Sequence, residues 1–186
     1  TDVMAKELPL ITPDKFHDEC AVFGIYGHKE AANLAYLGLY ALQHRGQEAS
    51  GIVSNDGEQF YVEKGQGHVA DIFSQQALAR LPGTMAIGHN RYSTAGGAGL
   101  KNVQPLSVNF AFGNLAVAHN GNLINATMLR SELEAYGAIF QSTSDTEVII
   151  HLIAHSRADT LLDRVIDSLT QVRGAFSVVL MTDQGI

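Results

Sequence analysis

The chain has 186 residues, 46% of them hydrophobic and 17% charged, which is room for one ordinary domain with a sizeable core and excludes a disordered polymer. Twelve Lys+Arg against nineteen Asp+Glu leave a net charge of −7, which argues against the clustered cations that sequence-independent nucleic-acid binding needs. The single cysteine, Cys20, excludes an internal disulfide, a Cys-based zinc site or an iron–sulfur cluster built from this chain alone. No stretch approaches the ~20 apolar residues of a membrane span, and no basic segment followed by an apolar run marks a secretory signal. These features read as a cytoplasmic domain, where the sequon Asn125-Ala126-Thr127 goes unused.

Residues 1–19 carry Pro9, Pro13 and scattered charges without periodicity, so they read as a leader outside the core. The texture changes at Cys20. The run from Cys20 to Gly27 is short, apolar and rich in β-branched and aromatic residues, as in a buried strand. Ala31, Leu34, Ala35, Leu39 and Leu42 recur at helical spacing, predicting a helix over 29–43. Strands at 51–53 and 59–63 flank Asn55-Asp56-Gly57, a hairpin signal. A modest helix over 69–81 is stopped by Pro82-Gly83, and strands follow at 84–91 and 115–119. The Gly- and Ala-rich 94–99 between them is a loop. A helix is predicted over 122–136 with Gly137 at its end. Ser144-Asp145-Thr146-Glu147 has the form of a capping box opening a helix over 147–155. An amphipathic helix over 160–172 is stopped by Gly174, and a buried strand covers 175–181. Hairpin-length connections point to antiparallel sheets rather than a doubly wound parallel one.

Cys20 has two readings. Free cysteines are among the most buried residue types, so it can be core. It also opens the first strand just after the leader, where cleavage of the Glu19–Cys20 bond would give one residue both a thiol and an α-amine. With a pKa of about 7.7–8.0 such an amine can serve as base near neutrality. His119-Asn120-Gly121-Asn122 follows a strand. It reads as a turn or as an oxyanion hole made by the Asn120 side chain and the Gly121 N–H. Arg91 reads as a solvated strand-end arginine or a carboxylate clamp. Asp145 reads as a helix-N-terminal stabiliser or as a partner for a ligand ammonium. Arg45-Gly46 by itself reads as a helix stop. His151 and His155 lie four apart, but Leu152 stands where a zinc protease carries Glu and no third ligand is evident, so a metal site is not expected.

Taken in order, CAVFGI from Cys20, LQHRGQE (42–48), GHNRYSTAG (88–96), NVQPL (102–106), AHNGN (118–122) and STSDTE (142–147) resemble the N-terminal-nucleophile (class II) glutamine amidotransferases. LQHRGQE and NVQPL resemble most closely the amidophosphoribosyltransferase branch of that family. The resemblance runs from about Cys20 to the end of the chain. It implies a four-layer α/β/β/α sandwich of two antiparallel sheets over 20–186. It implies that Cys20 is the nucleophile, exposed by removal of 1–19. Asn120 and Gly121 would hold the oxyanion, Arg91 the glutamine α-carboxylate and Asp145 its α-ammonium. Thr94 would help in the same pocket, and Arg45 and Gly46 would shape the site.

The expected activity is glutaminase: ammonia released through a Cys20 thioester, to make phosphoribosylamine from phosphoribosyl pyrophosphate in purine synthesis. The phosphoribosyltransferase domain that would use the ammonia is not in the sequence, and the glutaminase domain reads as truncated after its last strand. No cofactor is expected here. Magnesium, and an iron–sulfur cluster in some relatives, would belong to that second domain, as would contact with phosphoribosyl pyrophosphate. While 1–19 is attached the chain would be an inactive precursor, and the full-length protein is expected to be a homo-oligomer. Two alternatives stay open. One is the glutaminase domain of another class II amidotransferase, against which LQHRGQE speaks. The other is a non-catalytic domain keeping only the fold, against which Cys20, Asn120, Gly121 and Asp145 speak.

Overall fold

The computed structural model describes residues 20–43, 47–92 and 99–186. The expected leader, Arg45, Gly46 and Thr94 lie outside them.

The described residues begin with strand β1 (Ala21–Tyr26) and helix α1 (Ala31–Ala41). Strands β2 (Gln47–Asn55) and β3 (Phe60–Gln66) form the expected hairpin, both longer than the local pattern indicated. The strands close at Asn55↔Phe60, so residues 56–59 make the turn. Asn55 Oδ1 accepts from Gly57 N–H, and Asp56 Oδ1 accepts from the N–H groups of Glu58 and Gln59. The side chains thus do locally what a tight turn does with backbone.

The helix expected over 69–81 is two short ones, α2 (Val69–Ile72) and α3 (Gln75–Ala79). Ser74 breaks it: its extended backbone and its Oγ, which accepts from Ala77 N–H, start a second helix. Strand β4 (Met85–Tyr92) follows, then a 3₁₀ turn at Leu100–Asn102 and strand β5 (Leu106–Phe110). Strand β5 was not anticipated. It is short and lies at a sheet edge, yet Leu106-Ser107-Val108-Asn109-Phe110 alternates apolar and polar, so its signal is present in the sequence.

Strand β6 (Gly113–Leu123) runs past Asn120 and Gly121, so the helix expected from 122 begins later, as α4 (Ala126–Ala135). Pairing with strand β7 (Gly174–Thr182), out to Leu123↔Gly174, overrides the turn preference of Asn-Gly. Gly174 therefore opens a strand as well as following a helix. Helix α4 ends as expected: Gly137, at φ 93°, donates to Glu134 O and Ala138 N–H donates to Leu133 O, a Schellman motif. Helices α5 (Asp145–His155) and α6 (Leu161–Gln171) lie between α4 and β7.

Among the described residues two sheets result, ordered β1-β4-β2-β3 and β5-β6-β7, with every pairing antiparallel. Three apolar layers separate four structural ones. Leu39, Ala35 and Phe73 pack on Ile52 and Ala86 beneath α1. Val53, Met85 and Ile87 meet Ala116, Ala118 and Met181 between the sheets. Leu115 and Val117 pack on Val148, Ile149 and Ile153 of α5. The four-layer α/β/β/α expectation is therefore met. Strands β2 and β4 are covered on both faces, which explains their nearly continuous burial.

Candidate active site

Strand alternation assigns the site's side chains to their faces. On β4, Met85 and Ile87 point toward the second sheet, so His89 and Arg91 do as well. On β6, Ala116 and Ala118 point toward the first sheet, and Asn120 continues that row. Leu115 and Val117 point toward α5, and His119 continues that one. Cys20 precedes Ala21, which pairs with Asn90. Its thiol therefore sits at the end of the inter-sheet layer, beside Arg91 and Tyr92.

Cys20 Sγ donates to Tyr92 O at 3.7 Å and accepts from Tyr92 N–H at 3.5 Å. Burial pushes the thiol pKa up, and the Tyr92 backbone and the Arg91 charge offset this only in part. Near neutrality the sulfur is a thiol, and a nucleophilic role needs a base to take its proton.

Cys20, Arg91, Gly121 and Asp145 wall one cavity of about 450 Å³. Cys20, Asn120 and Gly121 wall an adjoining one of about 590 Å³. Of the eight residues singled out in the sequence, the five within the described residues therefore converge on Cys20. The other three, Arg45, Gly46 and Thr94, are those outside them. His151 and His155 are elsewhere, their rings tilted against those of Phe140 and Tyr136.

Asp145 opens α5 and reaches back to β6. Its Oδ2 accepts from Leu123 N–H at 3.2 Å, and its Oδ1 lies 3.4 Å from His119 Nδ1. Burial would raise this carboxyl, but its hydrogen bond and charge interaction with His119, helped by the Leu123 and Thr146 N–H groups, hold it below the usual carboxylate range. It is ionised at neutral pH. The capping box is altered. Ser144 Oγ accepts from Thr146 N–H as a cap, but Glu147 does not return to Ser144. Its carboxylate accepts from Gln141 N–H, Ser142 N–H and Ser142 Oγ, tying down the segment that leads into Asp145.

Three buried residues at the site carried no separate signal in the sequence. His89 Nε2 lies 3.1 Å from His119 O, across the two sheets. Burial pushes His89 down to about 3, so it is neutral and Nε2–H is the donor. Gln104 bonds the His119 backbone twice, Oε1 accepting from His119 N–H at 2.7 Å and Nε2 donating to His119 O at 3.2 Å. His119 itself is 2% exposed. The signal for all three was present as polar residues inside the quoted motifs, with nothing to say that they touch.

A family model described as glutamine amidotransferase domain matches residues 89–185. The amidophosphoribosyltransferase of Rhizobium etli is 55% identical over 170 residues, 91% of this chain and 34% of its own length. That of Bacillus subtilis is 51% identical over 168 residues, 90% of this chain and 35% of its own. A solved structure described as the allosteric regulatory enzyme of purine biosynthesis superposes with a TM-score of 0.84 at 52% identity, over 87% of this chain and 35% of that one. A Bacillus subtilis glutamine phosphoribosylpyrophosphate amidotransferase complexed with ADP and GMP gives 0.82 at 50% identity. The chain spans about a third of the length of the curated relatives it matches. With that family model covering more than half of the chain, the chain belongs to the glutamine amidotransferase family.

Proposed function

We propose that this chain is the glutaminase portion of an amidophosphoribosyltransferase, releasing ammonia from glutamine at Cys20. One observation carries the reading: the Cys20 thiol, Gly121, Arg91 and the ionised Asp145 wall a single cavity of about 450 Å³. Free glutamine carries a carboxylate and an ammonium on one carbon. Arg91 is the complementary cation and Asp145 the complementary anion, which leaves the side-chain amide to reach toward Cys20. On this reading Arg45, Gly46 and Thr94 complete the pocket. The names of the relatives favour the purine branch over other amidotransferases.

The chemistry requires Cys20 to have a free α-amine, so residues 1–19 are proposed as a leader removed by cleavage before Cys20. The amine accepts the thiol proton as sulfur bonds to the amide carbon. The tetrahedral oxyanion is met by the Asn120 side-chain N–H and the Gly121 backbone N–H. The resulting ammonium returns a proton to the leaving nitrogen, the C–N bond breaks, and ammonia departs. Water, deprotonated by the same amine, cleaves the thioester to glutamate and free thiol. Use of the ammonia on phosphoribosyl pyrophosphate, with magnesium, belongs to a further domain, and oligomer assembly and a cytoplasmic location are part of the same proposal.

The test is intact mass with and without the glutamine-analogue label 6-diazo-5-oxo-L-norleucine. A chain beginning at Cys20 and carrying one label is expected. A chain that begins at Cys20, hydrolyses no glutamine and takes up no label would refute the reading.

A further inference from the structure

The His119, Gly121 and Leu123 N–H groups share one edge of β6, because successive residues of a strand face opposite edges. That edge pairs with β5 only as far as Leu106↔Val117. Beyond that point side chains stand in for the missing strand. Gln104 bonds both the N–H and the C=O of His119, and the Asp145 carboxylate bonds Leu123 N–H. Between these two lies Gly121, facing both cavities that contain Cys20. Gly121 is held at φ 133°, and a Cβ there would meet Ala175 O at 2.2 Å. Its amide direction is thus set by how β6 is anchored on either side.

Gln104 is suited to anchoring. It is 7% exposed. The carbonyl of Gln104 passes so close to Gly51 that a Cβ there would lie 2.2 Å from its oxygen, which places Gln104 hard against the first sheet. The amide therefore ties the end of the β6 ladder to the layer that carries Cys20, and His89 adds a second donor to the same carbonyl.

We propose that Gln104 is a positioning residue for the oxyanion hole, acting through His119 to aim the Gly121 N–H at the carbon attacked by Cys20. The inference rests on the reading of Asn120 and Gly121 given under the proposed function. Loss of this aim weakens binding of the transition state and leaves ground-state binding of glutamine, through Arg91 and Asp145, in place.

The test uses the full-length processed enzyme. Gln104→Met keeps the side-chain length and removes both bonds. It is expected to lower kcat for glutamine hydrolysis about tenfold to a hundredfold, with KM changed less than about threefold. Gln104→Glu separates aim from packing, because its protonated carboxyl offers the same acceptor and donor. Its kcat relative to wild type is expected to rise as pH falls from about 8 to about 6, since burial favours the neutral form. Asn120→Ala serves as the control for the underlying reading. If Gln104→Met keeps wild-type kcat while Asn120→Ala is inactive, the positioning role is overturned and the site reading survives. If Gln104→Met does not fold, a flat pH ratio for Gln104→Glu overturns the role. Full turnover by Asn120→Ala overturns the site reading and the positioning role together.

Discussion

Replacing Asp145 by Asn isolates one charge. Asn has the same shape, and its amide oxygen can still accept from Leu123 N–H, as Oδ2 does at 3.2 Å. What disappears is the anion proposed to meet the glutamine ammonium. At ~4 Å and an effective dielectric of ~20, two unit charges attract by roughly 4 kcal/mol. The Asp145 side chain is 27% exposed, and both ions lose water on pairing, so about half of that is expected to survive. About 2 kcal/mol corresponds to a rise in KM of about 30-fold. Steady-state glutamine hydrolysis should show that rise with kcat within about threefold. Glutaramate, which is glutamine without its α-amino group, closes a double-mutant cycle. As a competitive inhibitor it should bind Asp145→Asn and wild type with nearly equal weakness. An unchanged KM for glutamine, or an equal loss for glutaramate, would refute the pairing and remove Asp145 from substrate recognition.

Glu147→Gln should destabilise the domain by about 2–4 kcal/mol, because one amide oxygen cannot serve donors that now meet both carboxylate oxygens. For a domain of this size that is a fall in melting temperature of about 5–12 °C. The Ser142 and Gln141 hydrogen bonds outweigh burial and hold the Glu147 pKa below its usual value. Its contribution is therefore full above the unfolded pKa of about 4.3, and is lost as pH falls through the lower folded value. Urea unfolding of both forms should converge at low pH, and a gap that persists there would show that packing rather than charge is responsible. In the chain with the Glu19–Cys20 bond intact, the rate of Cys20 alkylation by iodoacetamide should reach half its maximum above the ordinary thiol pKa of about 8.5. A midpoint below 8 would mean that the Arg91 charge outweighs burial.

Much of this protein was legible locally. Hairpin-length connections pointed to antiparallel sheets, and the strands read at 84–91 and 175–181 match β4 and β7. Gly137 and Ser144 marked helix ends that the structure confirms. Cys20, Arg91, Asn120, Gly121 and Asp145 stood out through their motifs, and Cys20, Arg91 and Asp145 lie where a strand or helix begins or ends. Such features depend on neighbours within a few residues, so a linear sequence displays them.

The rest depends on partners far away along the chain. The length of β6 past Asn120-Gly121 is decided by β7, more than fifty residues on, whose pairing supplies hydrogen bonds that a turn would forgo. The split at Ser74 reflects a cap strong enough to restart a helix that periodicity alone would have continued. Glu147 satisfies the backbone of residues 141 and 142 rather than its own cap, because the loop before α5 returns to it. Gln104, His89 and His119 form one buried hydrogen-bonded group only when the two sheets close on each other. A buried polar side chain takes whichever partner satisfies it, and that partner is chosen by packing in three dimensions. Residue identities thus determined which chemistry was available, whereas the closure of one sheet on the other decided where it could act.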